Sequence, residues 1–122
     1  MIVLRNKKII EIPYNQANID KYKSSDNLLR HARVNKKTGG IMLVERNRLV
    51  GYCGWEGNCI IALEVCKDYR GNGYGDKLIE RAINSGCTRL TVNRNNIIAI
   101  NLYKKHGFRP STIIGNRIDM EL

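Results

Sequence analysis

The chain has 122 residues, the size of one domain that can bury a core without disulfide staples. Hydrophobic residues make up 43% and charged residues 26%, a balance that excludes a disordered chain, and no apolar run reaches the roughly 18 residues a membrane-spanning helix needs. The net charge of +10 is split evenly, eleven basic against six acidic residues in 1–66 and ten against five in 67–122, so it excludes a basic tail and suits an anionic ligand as well as a polyanion.

Residues 1–12 alternate apolar and basic positions and predict a strand, which Pro13 ends. The start, Met1 to Lys7, lacks the order of a signal peptide, so a cytosolic location is expected. Residues 15–35 read as helical, with Ile19, Tyr22, Leu28, Leu29 and Ala32 as the apolar stripe and Ser24-Ser25-Asp26 placed to divide it in two. Thr38-Gly39-Gly40 reads as a turn. Three β-like runs follow, Ile41–Glu45, Leu49–Trp55 and Cys59–Val65. Arg46-Asn47 and Glu56-Gly57-Asn58 separate them, and such short polar connections predict an antiparallel meander.

Beyond a glycine-rich stretch the period changes. Leu78, Ile79, Ala82 and Ile83 recur at helical spacing, and Gly86 fits a helix C-cap. Arg89–Asn93 predicts a strand. Asn96–His106 predicts a second helix, with Ala99, Leu102 and Tyr103 on one face, basic residues in its last turn and Gly107 as its cap. Phe108–Ile114 and Arg117–Leu122 close the chain as strands. The order implies one α/β or α+β domain over residues 1–122, a mixed sheet with helices on its faces.

Cys53, Cys59, Cys66 and Cys87 form no C-x-x-C pair, and only His31 and His106 could join them. That is too little for a metal site, and a cytosolic chain does not build on disulfides, so reduced core cysteines are expected. Cys66 borders the glycine-rich stretch.

The informative segment is Leu63-Glu64-Val65-Cys66-Lys67-Asp68-Tyr69-Arg70-Gly71-Asn72-Gly73-Tyr74-Gly75. An apolar strand runs into a polar turn, three alternating glycines follow, and a helix begins. Glycines there permit positive φ and close backbone approach, and the helix start offers unpaired N–H groups to a phosphate. No Gly-Lys-Ser/Thr closes the loop, so it is not a Walker loop, and the meander before it excludes the dinucleotide fingerprint.

Arg70-Gly71-Asn72-Gly73-Tyr74-Gly75 resembles the acetyl-CoA loop of the GCN5-related N-acetyltransferase (GNAT) superfamily, Arg/Gln-x-x-Gly-x-Gly/Ala. A second element is similar to the family's Asn-x-x-Ala-x-x-Leu/Phe-Tyr-x-Lys-x-Gly-Phe: here Asn96-Ile97-Ile98-Ala99-Ile100-Asn101-Leu102-Tyr103-Lys104-Lys105-His106-Gly107-Phe108. Lys67 stands where the family often has Pro. The likeness covers residues 41–122 and is weak before them. It implies a GNAT-like fold, a central and mostly antiparallel sheet flanked by helices.

The resemblance also implies roles. Gly71, Gly73 and Gly75, with Arg70, Asn72 and Tyr74, would hold the pyrophosphate of acetyl-CoA. Val65 and Lys67 would pair with the pantetheine arm in a gap between strands, Asn96 would bond it, and Lys105 fills the motif's lysine. Val65 N–H would receive the charge that develops on the carbonyl oxygen, and Tyr103 would lie near the sulfur as the acid. Glu64 is the first candidate for the base, with Glu56 and Glu45 as alternatives. His31 and His106 are not assigned to catalysis, His106 fitting a helix-end role, and Trp55 reads as packing before it reads as an acceptor wall.

The expected activity is acetyl transfer from acetyl-CoA to a primary amine of a small molecule or protein, by a monomer or homodimer and without a metal. Residues 13–40 leave little room for the usual acceptor-binding helices. The rival reading is a non-catalytic CoA sensor or a nucleic-acid-binding module, and an aromatic content of 7% with no interleaved basic cluster argues against nucleic acid.

Overall fold

The structure is a computed structural model that describes residues 8–22, 29, 32 and 34–122. In chain order it contains β1 (Ile9–Pro13), α1 (Gln16–Tyr22), β2 (Thr38–Glu45), β3 (Arg48–Glu56), β4 (Cys59–Val65), a 3-10 turn (Lys67–Tyr69), α2 (Tyr74–Asn84), β5 (Arg89–Asn93), α3 (Ile97–Lys105), β6 (Arg109–Ile114) and β7 (Arg117–Glu121). The seven strands form one mixed sheet in the order β1-β2-β3-β4-β5-β7-β6. The α/β fold expected from the sequence is the fold observed.

Three details differ from expectation. The helix read over residues 15–35 is α1, Gln16–Tyr22, and Ala32, Val34 and Asn35 are not helical. Thr38, Gly39 and Gly40 do not turn but open β2, paired with Glu56, Trp55 and Gly54. A Cβ at Gly39 would lie 2.7 Å from the Trp55 indole and one at Gly40 would lie 2.3 Å from the Cys53 carbonyl, so these strand glycines mark a close approach rather than a bend. Pro13 belongs to β1 rather than following it, which an edge strand tolerates because no ladder partner awaits its missing N–H. The first part of that expected strand, residues 1–7, and Ser24-Ser25-Asp26, Leu28 and His31 lie outside the described residues.

The core lies on both sides of β3, whose residues Leu49–Cys53 are all buried, as expected of a central strand covered on both faces. α2 packs across β3 and β4 through Leu78, Ile79 and Ala82, all fully buried. Each of the two larger side chains stabilises the fold by about 1.5–3 kcal/mol. Both predicted glycine caps are Schellman ends. Cys87 N–H donates to Ala82 O and Gly86 N–H to Ile83 O after α2; Phe108 N–H donates to Tyr103 O and Gly107 N–H to Lys104 O after α3.

The site is positioned by the middle of the sheet. The meander β1–β4 is antiparallel, as is the group β5, β7 and β6. The two halves meet only where β4 runs parallel to β5, over the pairs Cys59–Arg89 and Ile60–Leu90. From Ile61 onward β4 has no partner on that side, and a wedge opens towards the glycine-rich loop.

Candidate active site

The open edge of β4 presents unpaired backbone. Cys66 N–H donates to Val50 O at 2.8 Å, so Cys66 belongs to a hydrogen-bonded pair of the β3–β4 ladder. Antiparallel ladders alternate, so Glu64 bonds to β3 while the backbone groups of Leu63 and Val65 face the wedge. Side chains alternate as well. A Cβ at Gly51, opposite Val65, would touch Leu78 of α2, which places Val65 on the α2 face and Glu64 on the other face, across from Tyr52. Tyr52 stacks on Tyr14 with ring centroids 5.5 Å apart.

The 3-10 turn leads from β4 into the loop. Arg70 Nε donates to Val65 O at 3.0 Å, which draws the loop back onto the strand end. Asn72 Nδ2 donates to Tyr69 O at 3.2 Å and Arg70 O at 3.1 Å, so its amide braces the loop from within. Gly71 and Gly73 lie at φ +79 and +83, where L side chains are strained, and no atom lies within 4 Å of a Cβ added at either. Gly73 is the N-cap of α2, and no side chain caps the helix. Its first N–H groups therefore stay available to an anion, reinforced by the helix dipole. Gly75 has another reason to be glycine: a Cβ there would lie 3.3 Å from Leu102, where α2 and α3 meet.

These elements wall a cleft of about 670 Å³. Glu64, Val65, Arg70, Gly71, Gly73, Tyr74, Gly75 and Asn96 all line it, so most residues singled out in the sequence converge here. Asn96 caps α3, its Oδ1 accepting from Ala99 N–H at 3.3 Å. A smaller cavity of about 160 Å³ continues into the wedge, lined by β4, β5, Asn96 and Tyr103, and shares Leu63 and Asn96 with the first.

Other predicted residues lie off the cleft wall. Lys67 is in the 3-10 turn, and Lys105 Nζ pairs with Asp76 at 2.9 Å. Glu45 accepts a hydrogen bond from the Tyr69 hydroxyl, Glu56 is approached by Asn35 Nδ2 at 3.5 Å, and Trp55 covers Gly39. His106 Nε2 lies 2.7 Å from Asp76 Oδ1 and so ties the end of α3 to the start of α2. Tyr69, Asp76, Leu102 and Ile98 also line the cleft and were not singled out. Asp76 carried a signal, an acidic residue in a first helical turn; the others depend on long-range packing. Among the described residues no three His, Cys, Asp or Glu side chains gather as a metal site, and all four cysteines are free.

Burial pushes the Tyr103 phenol up to about 12, with smaller upward contributions from Cys53 and Glu64. Tyr103 lines the smaller cavity, and its hydroxyl has no hydrogen-bond partner among the described residues. Hydrogen bonds from His106 and then Lys105 hold the Asp76 carboxyl below its ordinary value of 3.8. A depressed carboxyl stabilises the fold above that ordinary value and loses its contribution as pH falls through the native one. Asp76→Asn is therefore expected to lower stability to urea at pH 7, with the gap to the parent closing as pH falls below about 4. A gap that is constant with pH would remove the ion cluster as its cause.

An acetyltransferase (GNAT) domain model matches residues 37–110, which span β2–β4, the loop, α2, β5 and α3. No curated protein matches the chain in sequence. Several solved structures are similar in fold. Naa50 of Arabidopsis thaliana, in complex with the bisubstrate analogue CoA-Ac-MVNAL, has a TM-score of 0.71 at 22% identity, covering 92% of this chain and 95% of that one. The ribosomal-protein-S18-alanine N-acetyltransferase of Escherichia coli has a TM-score of 0.72 at 16% identity, over 93% and 90%. The PaiA N-acetyltransferase of Thermoplasma acidophilum, in complex with coenzyme A, has a TM-score of 0.60 at 22% identity, over 88% and 79%. With a family model matched over more than half of its length, on the elements that build the cleft, the chain belongs to the GNAT acetyltransferase family.

Proposed function

We propose that the chain transfers an acetyl group from acetyl-CoA to a primary amine. The observation that carries this reading is the open edge of β4 lying beside the uncapped start of α2. One offers paired backbone contacts to an extended amide-bearing arm; the other offers N–H groups and a positive dipole end to a pyrophosphate.

In this reading the residues divide the work by face. Val65 N–H, aimed into the wedge, donates to the carbonyl oxygen as charge develops there. Glu64, exposed on the opposite face, takes the proton that the attacking amine must lose, directly or through water. The nitrogen–carbon bond forms, the carbon–sulfur bond breaks, and Tyr103 donates a hydrogen bond to the departing sulfur. The acceptor we favour is an amine on a peptide or protein. A net charge of +10 repels small polycations, and one similar structure carries a peptide-bearing analogue.

Acetyl-CoA at 100 times its dissociation constant is expected to stabilise the fold by about 2.7 kcal/mol, read as a raised Tm. An unchanged Tm at saturating acetyl-CoA would overturn the reading. Thiol release over a panel of peptides and small amines then separates an enzyme from a CoA sensor, which would show the Tm shift and no turnover.

A further inference from the structure

Glu45, at the end of β2, does not line the cleft, yet its carboxylate is committed. Oε1 accepts the Tyr69 hydroxyl at 2.7 Å, and Oε2 is the one buried side-chain polar atom without a partner among the described residues. A strand end that only needed filling would hold an apolar or β-branched residue there, since a buried unpaired carboxylate oxygen is costly.

We propose that Glu45 is a positioning residue for the cofactor: through Tyr69 it fixes the wall of the cleft and the loop that leads to α2. The proposal rests on the acetyl-CoA reading of that cleft. Tyr69 is buried, and it is held from several sides. Glu45 takes its hydroxyl, the Arg48 guanidinium lies over its ring at 5.4 Å, and its ring meets that of Tyr74 edge-on at 6.2 Å. Both tyrosines line the cleft, and Tyr74 is the first residue of α2. The Tyr69 carbonyl in turn accepts the Asn72 amide, so a shift of Tyr69 passes to Gly71 and Gly73. Arg48 also pairs with Asp68 at 2.9 Å, but both side chains are well exposed, and exposed pairs hold little. The charge-assisted bond from Tyr69 to Glu45 therefore ties the β2–β3 hairpin to the loop more firmly than that exposed pair does.

Calorimetric binding of acetyl-CoA to the parent, Glu45→Ala, Tyr69→Phe, the double variant and Glu45→Gln tests this. Glu45→Ala and Tyr69→Phe are each expected to weaken binding about tenfold, the scale of one charge-assisted hydrogen bond. The double variant should bind no worse than either single one, because both remove the same bond. It also leaves no unpaired buried group, so it folds even where Glu45→Ala does not. Glu45→Gln should recover most of the affinity, since its amide oxygen still accepts the phenol. A parent that does not bind acetyl-CoA overturns the reading of the cleft and this proposal with it. A parent that binds, with single variants that melt lower but bind equally well, overturns the positioning role alone, as do strictly additive losses.

Discussion

Gly73→Val is expected to lower acetyl-CoA affinity at least 100-fold while the fold persists. Gly73 lies at φ +83, and a Cβ there would meet no atom within 4 Å beyond its chain neighbours. The cost of the substitution is conformational: the left-handed region costs an L-residue roughly 1–2 kcal/mol, and β-branching adds to it. The loop then leaves that region, and the N–H groups at the start of α2 lose their common aim. The isopropyl group also occupies the approach a phosphate would take. Gly86→Val supplies the control. Gly86 has φ +100 and equally open surroundings, but it ends α2 instead of starting it. Both variants should lose similar stability in thermal unfolding, and only Gly73→Val should lose binding in calorimetry. Equal affinity in the two would mean that the loop has been misread.

Tyr103→Phe is expected to lower kcat by about 10², with the affinity for acetyl-CoA unchanged. The ring packs edge-on against Phe108 at 6.1 Å, and Phe keeps that contact. Only the hydroxyl is removed, and it has no partner among the described residues whose loss would cost stability. The size of the effect follows from the phenol itself. Burial raises it to about 12, so it keeps its proton at neutral pH. A free thiol titrates near 8.5, so complete transfer from such a phenol to a thiolate is uphill by on the order of 5 kcal/mol. In the proposed mechanism Tyr103 would therefore donate a hydrogen bond to the developing thiolate, with solvent delivering the proton afterwards. That places the loss at the low end of what general acids contribute. Steady-state kinetics on the amine found in the panel measures it. Parent-like kcat at saturation would remove Tyr103 from the mechanism and leave the cofactor assignment intact.

Much of this was legible in the residue order because the controlling interactions are local. The hairpins announced themselves through Arg46-Asn47 and Glu56-Gly57-Asn58, and β4 matches its predicted span from Cys59 to Val65. Gly86 and Gly107 marked helix ends because a left-handed residue closes a Schellman motif within six residues. The cleft residues of the loop could be named because loop and helix start are consecutive. What stayed hidden joins distant segments. β7 inserts between β5 and β6, and no turn chemistry encodes that order. Glu45 meets Tyr69 across 24 positions, and Asp76 meets His106 across 30. Asn72 adds a contact that its place in the motif does not announce: its Nδ2 donates to the Tyr69 and Arg70 carbonyls and so braces the loop. Gly39 and Gly40 read as a turn because a sequence does not reveal that Trp55 and Cys53 press against them.

The two-residue seam between β4 and β5 gives the sheet four exposed margins instead of two. The outer pair, β1 and β6, faces the surroundings like any sheet rim. In β6 that rim runs Pro110-Ser111-Thr112-Ile113-Ile114, and its last two residues are 55% and 69% exposed. A row of unsatisfied donors and acceptors on such a rim invites strand addition by a neighbouring chain, and within that stretch the guards are Pro110 and the register shift between Pro110 and Thr112. The inner pair carries the same kind of unsatisfied backbone but is sheltered differently. Its two margins converge on Ile60 and Leu90, so an incoming strand would strike the seam before it could pair along its length. The molecule thus keeps reactive backbone on display in its interior fork, where aggregation cannot exploit it, and leaves its colloidal weak point at the opposite end, on β6.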